Sequence, residues 1–191
     1  MKRLGAYILL AVSFVAKSAS ADEIAFPWYA GVGLDVVNFS VNKGSVPSLT
    51  PTSSVDSTSY NPNFLLGYQF DSFLGTELGY LGGGSVTSTD NGQTTQLFKV
   101  DLMTLAATMG APVNDNVRLY AKLGGTSWKF SSWQNGNKND GFGPCIGIGA
   151  DINLYGDLDR TMRIEYIHYR LDNVYVKSAS NLSINAIFHF K

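Results

Sequence analysis

Few side chains in this 191-residue chain have the types and spacing to do chemistry. Glu77, Lys122, Arg163 and Glu165 are ionisable residues set inside otherwise apolar, glycine-rich segments, and Asp35, Arg118 and Asp151 sit in similar surroundings. Such a set suits either an acid/base constellation or a network of ion pairs that shelters charges away from water. Both signs recur through the set, which favours the network, because a buried charge without a partner costs several kcal/mol or more. The two histidines add no catalytic alternative. Two residues beyond His168 stands Arg170, not a nucleophile, and His189 lies in an alternating apolar stretch close to the C-terminus. Cys145 is the single cysteine, so it closes no internal disulfide, and neither a base nor a metal ligand lies near it in sequence. Asp157 and Asp159 flank a short turn, while Asn91-Gly92 and Asp140-Gly141 are turn dipeptides. No catalytic residue, metal site or cofactor is expected.

The pattern that must position these charges has a period of two. Trp28, Ala30, Val32, Leu34 and Val36 share one face, and Tyr29, Gly31, Gly33 and Asp35 share the other. The same alternation recurs over residues 64–71, 74–81, 103–110, 117–124, 143–154, 162–167 and 182–190. Eight strands result, with no competing amphipathic helix. One face of each is apolar throughout. The opposite face holds the seven charges named above, most of the strand glycines, Cys145 and His189. Small residues mixed with balanced charges suit the narrow lumen of an eight-stranded barrel, which side chains fill. Glycine is a poor choice for a strand face turned to water. The apolar face is left to meet lipid, with Trp28, Phe64, Tyr68, Phe70, Tyr80, Tyr166, Phe188 and Phe190 near strand ends as interfacial girdles.

Connection lengths orient the barrel. The links at residues 71–73, 112–116 and 155–160 are short, whereas 42–60, 82–95, 131–140 and 172–180 are long, polar and rich in Ser, Thr, Asn and Gly. Short turns at one end and long loops at the other are the asymmetry of bacterial outer-membrane barrels. The N-terminus agrees. Met1-Lys2-Arg3, an uncharged stretch from Leu4 to Ala16 and the small-residue site Ala19-Ser20-Ala21 form a secretory signal peptide, cleaved after Ala21. Residues 22–191 are then the barrel. Losing Lys2, Arg3 and Lys17 takes the formal charge from −1 to −4. No basic block remains, so nucleic acid is not a partner. Charged residues are 15% of the chain, against about 25% in soluble domains.

Several blocks carry a family resemblance. GYQFDSFLGTELGYLG (Gly67 to Gly82) resembles the second and third strands of the OmpA-type transmembrane barrel, and WYAGVGL (Trp28 to Leu34) resembles the first. GAPVNDNVRLYAKLGGTSWKF (Gly110 to Phe130), RIEYIHYRLDN (Arg163 to Asn173) and LSINAIFHF (Leu182 to Phe190) are similar to later parts of that family, in order. The resemblance implies an antiparallel up-and-down transmembrane barrel in which Glu77 and Glu165 point into the lumen and pair with basic residues, Lys122 among them. Thr108 stands where the family has an inward lysine, and the chain is expected to lack the family's periplasmic peptidoglycan-binding domain. Lys191 follows the aromatic Phe190, the usual last residue type of an outer-membrane strand, and the assembly machinery is expected to accept it. Lipid A deacylases, another eight-stranded family, place a His-x-Ser pair on the outer wall; Arg170 in place of that serine removes the match.

The expected function is therefore structural or surface-interacting. The barrel sits in the lipid bilayer beside lipopolysaccharide, and its four long loops contact a host, phage or matrix ligand. A narrow, low-conductance porin is the alternative, and a lipid-modifying enzyme the second.

Overall fold

The computed structural model describes residues 27–46, 54–90, 92–132, 138–154 and 160–190. The expected signal peptide, Asp157, Asp159 and Lys191 lie outside them. The strands are β1 (Trp28–Val41), β2 (Ser54–Asp56), β3 (Thr58–Gln69), β4 (Leu74–Asp90), β5 (Gln93–Asn114), β6 (Val117–Ser132), β7 (Lys138–Asn153), β8 (Arg160–Arg170) and β9 (Val176–Phe190). Each long strand pairs antiparallel with the next, and β1 pairs with both β3 and β9, which closes the ring. The short β2 adds to the outer end of β4 through Ser54–Asp56 against Thr87–Thr89. An antiparallel barrel of eight staves is the outcome, as the alternation requires. Closure satisfies the backbone hydrogen bonds that lipid cannot.

The two faces separate as their residue types demand. Asp35, Glu77, Lys122, Arg163 and Glu165 are all buried in the lumen, whereas Leu34 is 73% exposed, Ile148 64% and Leu105 63% on the outer wall. An apolar wall of that kind is stable only against lipid. At the end of the short turns Trp28, Tyr68 and Phe70 pack edge to face, with ring centroids 4.8 and 5.2 Å apart, as part of an aromatic girdle. Two of the turns are held by a side chain. Asp71 Oδ1 accepts the N–H groups of Phe73 and Leu74 at 2.7 Å each. Asn114 Oδ1 accepts those of Asn116 and Val117 at 2.9 and 2.8 Å.

At the opposite end the strands run further than the alternation suggests. Residues 82–95 are not a loop: β4 continues to Asp90 and β5 starts at Gln93, joined at Gly92 with φ of 80°. The segment carries Val86 and threonines at 87, 89, 94 and 95, residue types that favour strands. Register shifts at Leu81/Gly84 and Val86/Thr87 break its alternation and hide it from a period-two reading. Likewise β2 and β3 take residues 54–56 and 58–60 out of the first expected connection, and β9 takes 176–180 out of the last. Direct β3–β4 pairing ends at Asn63 and Leu81. Beyond that point Ser59 Oγ accepts the Ser85 N–H at 3.1 Å and bridges the two strands.

Val32 lies midway along the outward row of β1. Val32→Arg is expected to lower the folding free energy by about 2–4 kcal/mol in lipid vesicles, read from urea unfolding. A wall that faced water would show no such loss.

Candidate functional site

The inward charges meet near the short-turn end of the lumen. Strand β4 supplies Glu77, β6 supplies Arg118 and Lys122, β7 supplies Asp151, and β8 supplies Arg163 and Glu165. Lys122 Nζ lies 2.5 Å from both Glu77 Oε1 and Glu165 Oε2. Arg163 Nη1 pairs with Glu77 Oε2, and the same guanidinium grips Asp151 through Nε at 2.6 Å and Nη2 at 3.0 Å. Arg118 closes the mouth, with Nη1 3.4 Å from Asp151 Oδ2 and two further donors on the Ser72 and Phe73 carbonyls at 3.3 and 3.2 Å. Charges of alternating sign thus run from the mouth to Glu165.

Two tyrosines complete the shell. The Tyr29 hydroxyl donates to Glu77 Oε2 at 3.0 Å, and the Tyr120 hydroxyl donates to Glu165 Oε2 at 2.5 Å. The Arg163 guanidinium sits over both rings, 5.2 Å from the Tyr29 centroid and 4.7 Å from that of Tyr120. Glycine makes room for the rings. A Cβ at Gly67 would fall 2.0 Å from Tyr29 Cζ, and one at Gly149 2.4 Å from the Tyr120 hydroxyl. Every ionic group in this cluster already has a counter-charge or a donor, so the arrangement cross-links β4, β6, β7 and β8 through the lumen. No carboxylate there stands open to an outside substrate.

Of the seven inward charges read from the alternation, six meet in this cluster, and Asp35 stands apart. It accepts a hydrogen bond from Asn63 Nδ2. Further toward the outer end the lumen turns apolar. Val37, Phe39, Leu81, Val86, Val100, Leu102, Trp128 and Phe130 form a buried core joined by Ile167, Tyr169 and Cys145. Phe98 packs on Phe130 at 4.8 Å, and Tyr175 stacks on Phe130 at 5.4 Å. The polar network therefore fills only part of the interior, and the apolar core fills the rest. A signal for the rest was present: Val37 and Phe39 continue the inward phase of Asp35, and Trp128 and Phe130 continue that of Lys122.

The remaining reactive residues divide by place. His189 lies inward, 5.5 Å from the Tyr29 ring and 3.5 Å from Thr161 Oγ1. His168 faces outward, and pairing of β8 with β9 brings Ser180 Oγ to 3.1 Å from its Nδ1. A search along one strand could not find that pair; only the register reveals it. The β7 neighbour of His168 is Ile146, so no acid orients the imidazole from that side. With Asn38 and Thr58 in the same cross-strand row, the pair extends a polar band around the outer wall.

Lys122→Met is expected to lower stability by about 3–5 kcal/mol, because it leaves Glu77 and Glu165 short of their shared cation. Adding Glu77→Gln is expected to restore part of that loss, measured by urea unfolding in vesicles.

Residues 7–190 match the family of the outer membrane protein beta-barrel domain. Outer membrane protein A of Escherichia coli O157:H7 is 26% identical over 172 residues, covering 87% of this chain and 47% of that protein. Its counterpart in Klebsiella pneumoniae is 38% identical over 111 residues, 52% of this chain and 30% of that one. The chain spans about half the length of the first of these relatives. Among solved structures, Ail, the attachment invasion locus protein of Yersinia pestis, aligns with a TM-score of 0.57 at 16% identity, over 87% of this chain and 100% of that one. Neisserial surface protein A aligns with a TM-score of 0.57 at 12% identity, over 85% of this chain and 97% of that one. A complex of Ail with the heparin analogue sucrose octasulfate aligns at 0.52 and 16% identity, over 87% and 100% of the two chains. A closed antiparallel ring, an apolar outer wall and a family match along nearly the whole chain converge: this protein belongs to the outer membrane protein β-barrel domain family and resides in the bacterial outer membrane.

Proposed function

We propose that the chain is a closed, non-enzymatic scaffold of the outer membrane whose outer rim contacts a host, phage or matrix ligand. One observation carries the reading: the lumen is occupied by ion pairs at one level and by an apolar core at the next. A solute path would have to cross both, so the interior supports the wall rather than conducting. What remains free to interact is the rim, where the β4–β5 hairpin stands beyond the apolar core. Residues 1–21 serve as a cleaved signal peptide, and residues 22–191 form the barrel that the assembly machinery inserts.

Lipopolysaccharide is the proposed neighbour of the wall just below the rim. Lys99, Lys129, Arg170 and Lys177 are exposed there, above the row of His168, Ser180 and Asn38. Cations at that height suit phosphate groups, and the hydroxyl and amide groups suit sugars. Sucrose octasulfate bound to Ail shows that a barrel of this fold holds a polyanion. That supports the rim reading by analogy of fold alone.

Planar-bilayer recording of the purified barrel is expected to give no steady single-channel steps. Steps that change with Glu77→Gln would instead establish the narrow porin. In a second measurement, an Asn-Gly turn replaces residues 88–95. The expected result is a barrel that keeps its heat-dependent mobility on SDS gels, while cells displaying it lose attachment to host cells or matrix proteins, or adsorption of phage.

A further inference from the structure

The cluster from Arg118 to Glu165 contains three cations and three carboxylates and is neutral as a set. Asp35 is a fourth lumenal carboxylate, 2% exposed, and among the described residues no basic side chain lies within 4.0 Å of it. Its hydrogen-bond donor, Asn63 Nδ2, is neutral. Lys122 is held between Glu77 and Glu165, so its charge is already shared. A buried carboxylate served by amides alone is costly unless something balances it.

A recess of about 40 Å³ lies beside this carboxylate; Asp35, Asn63, Asn181 and Asn185 line it, together with the mutually paired Glu77, Lys122 and Glu165. The side-chain oxygens of Asn63, Asn181 and Asn185 have no hydrogen-bond partner, although these residues are only 8%, 2% and 2% exposed. Buried acceptors in a folded protein are satisfied by a donor or an ion. Water in the recess would satisfy the oxygens and leave the charge. A proton on Asp35 would remove the charge and leave the oxygens. A divalent ion would answer one excess negative charge with two positive ones. The geometry points to a binding site for a single monovalent cation of sodium size, held by the Asp35 carboxylate and the amide oxygens of Asn63, Asn181 and Asn185.

The donor set agrees with that choice. Carboxylate and amide oxygens are hard ligands that suit unpolarisable cations, and the recess leaves room for the ion with about one or two waters. The apolar core closes the outer side and the ion pairs fill the lumen on the other, so the ion exchanges slowly, as the barrel breathes. A ligand that binds only the folded barrel stabilises it by mass action. The ion therefore acts as a removable part of the interior.

The test compares unfolding of the full barrel in detergent micelles in sodium chloride and in choline chloride at equal ionic strength. Choline is too bulky for oxygen ligands to surround. Unfolding is expected to be about tenfold slower or more at saturating sodium, and Asp35→Asn is expected to remove the difference. Equal rates for the wild type in the two salts would overturn the site, as would a stability that rises on acidification with no response to sodium. Should Asp35→Asn fail to fold, wild-type crystals soaked in thallium(I) decide the matter. Anomalous density between Asp35 and Asn181 supports the site, and its absence there refutes it.

Discussion

An eight-stave ring is too narrow to hold bulk water, and that limit governs every inward residue of this chain. Each must either be small, pack against an apolar neighbour, or bring a partner for its charge. Tyr29 lies flat over Gly67, and Tyr120 lies over Gly149, because a side chain at either glycine would occupy the same space as the ring. With the rings so placed, their hydroxyls reach Glu77 and Glu165, and their faces lie beneath Arg163. Glycine, aromatic and ion pair are thus one packing solution rather than three separate features. Removing any member changes the volume or the charge balance for the others.

The two levels of the lumen contribute differently. Apolar burial at the outer level is favourable by about 25 cal/mol per Å² removed from water, without demands on direction. The ionic level gains less in net terms, since desolvation offsets much of the attraction between buried charges. What it adds is geometry. Arg163 joins β8 to Asp151 on β7 and to Glu77 on β4, and Lys122 joins β6 to β4 and β8. The pair with Asp151 joins neighbouring strands, but the other three links span strands that are not neighbours in the ring, so they fix its cross-section where hydrogen bonds between adjacent staves cannot. The outer wall follows the inverse rule: Leu34 and Ile148 are exposed on the isolated chain because lipid is their solvent.

Strand parity made the membrane-embedded part readable. From Trp28 to Val36 and from Gly143 to Leu154, one residue in two is apolar without interruption, and the faces follow. Legibility ended where the physical signal ended. Beyond Leu81 both faces of β4 carry Gly, Ser and Thr, and two register shifts change the phase, so a strand there resembles a loop. Much of the apolar core was hidden for a related reason: most of its residues lie on extensions such as Val37–Phe39 and Phe98–Leu102, outside the cleanest repeats. Within the site, parity named the seven charges but not their partners. That Lys122 serves both Glu77 and Glu165, and that Ser180 meets His168, depends on register, which composition does not encode.

A filled interior and a lipid-facing wall leave the protein little freedom over most of its length. An inward change meets a ring, a glycine or a counter-charge, and an outward polar change in the band meets hydrocarbon. Only above the apolar core do residues face water on one side and carry no packing duty, as exposed Thr94 and Thr95 do beside the turn at Gly92. The turns at the other end lack that latitude, because Asp71 and Asn114 are committed to backbone donors. Recognition of a partner needs side chains that can vary without unfolding the barrel. In this architecture the β4–β5 hairpin and its neighbours at the rim meet that condition, so the same constraint that fills the lumen leaves the rim as the part free to vary.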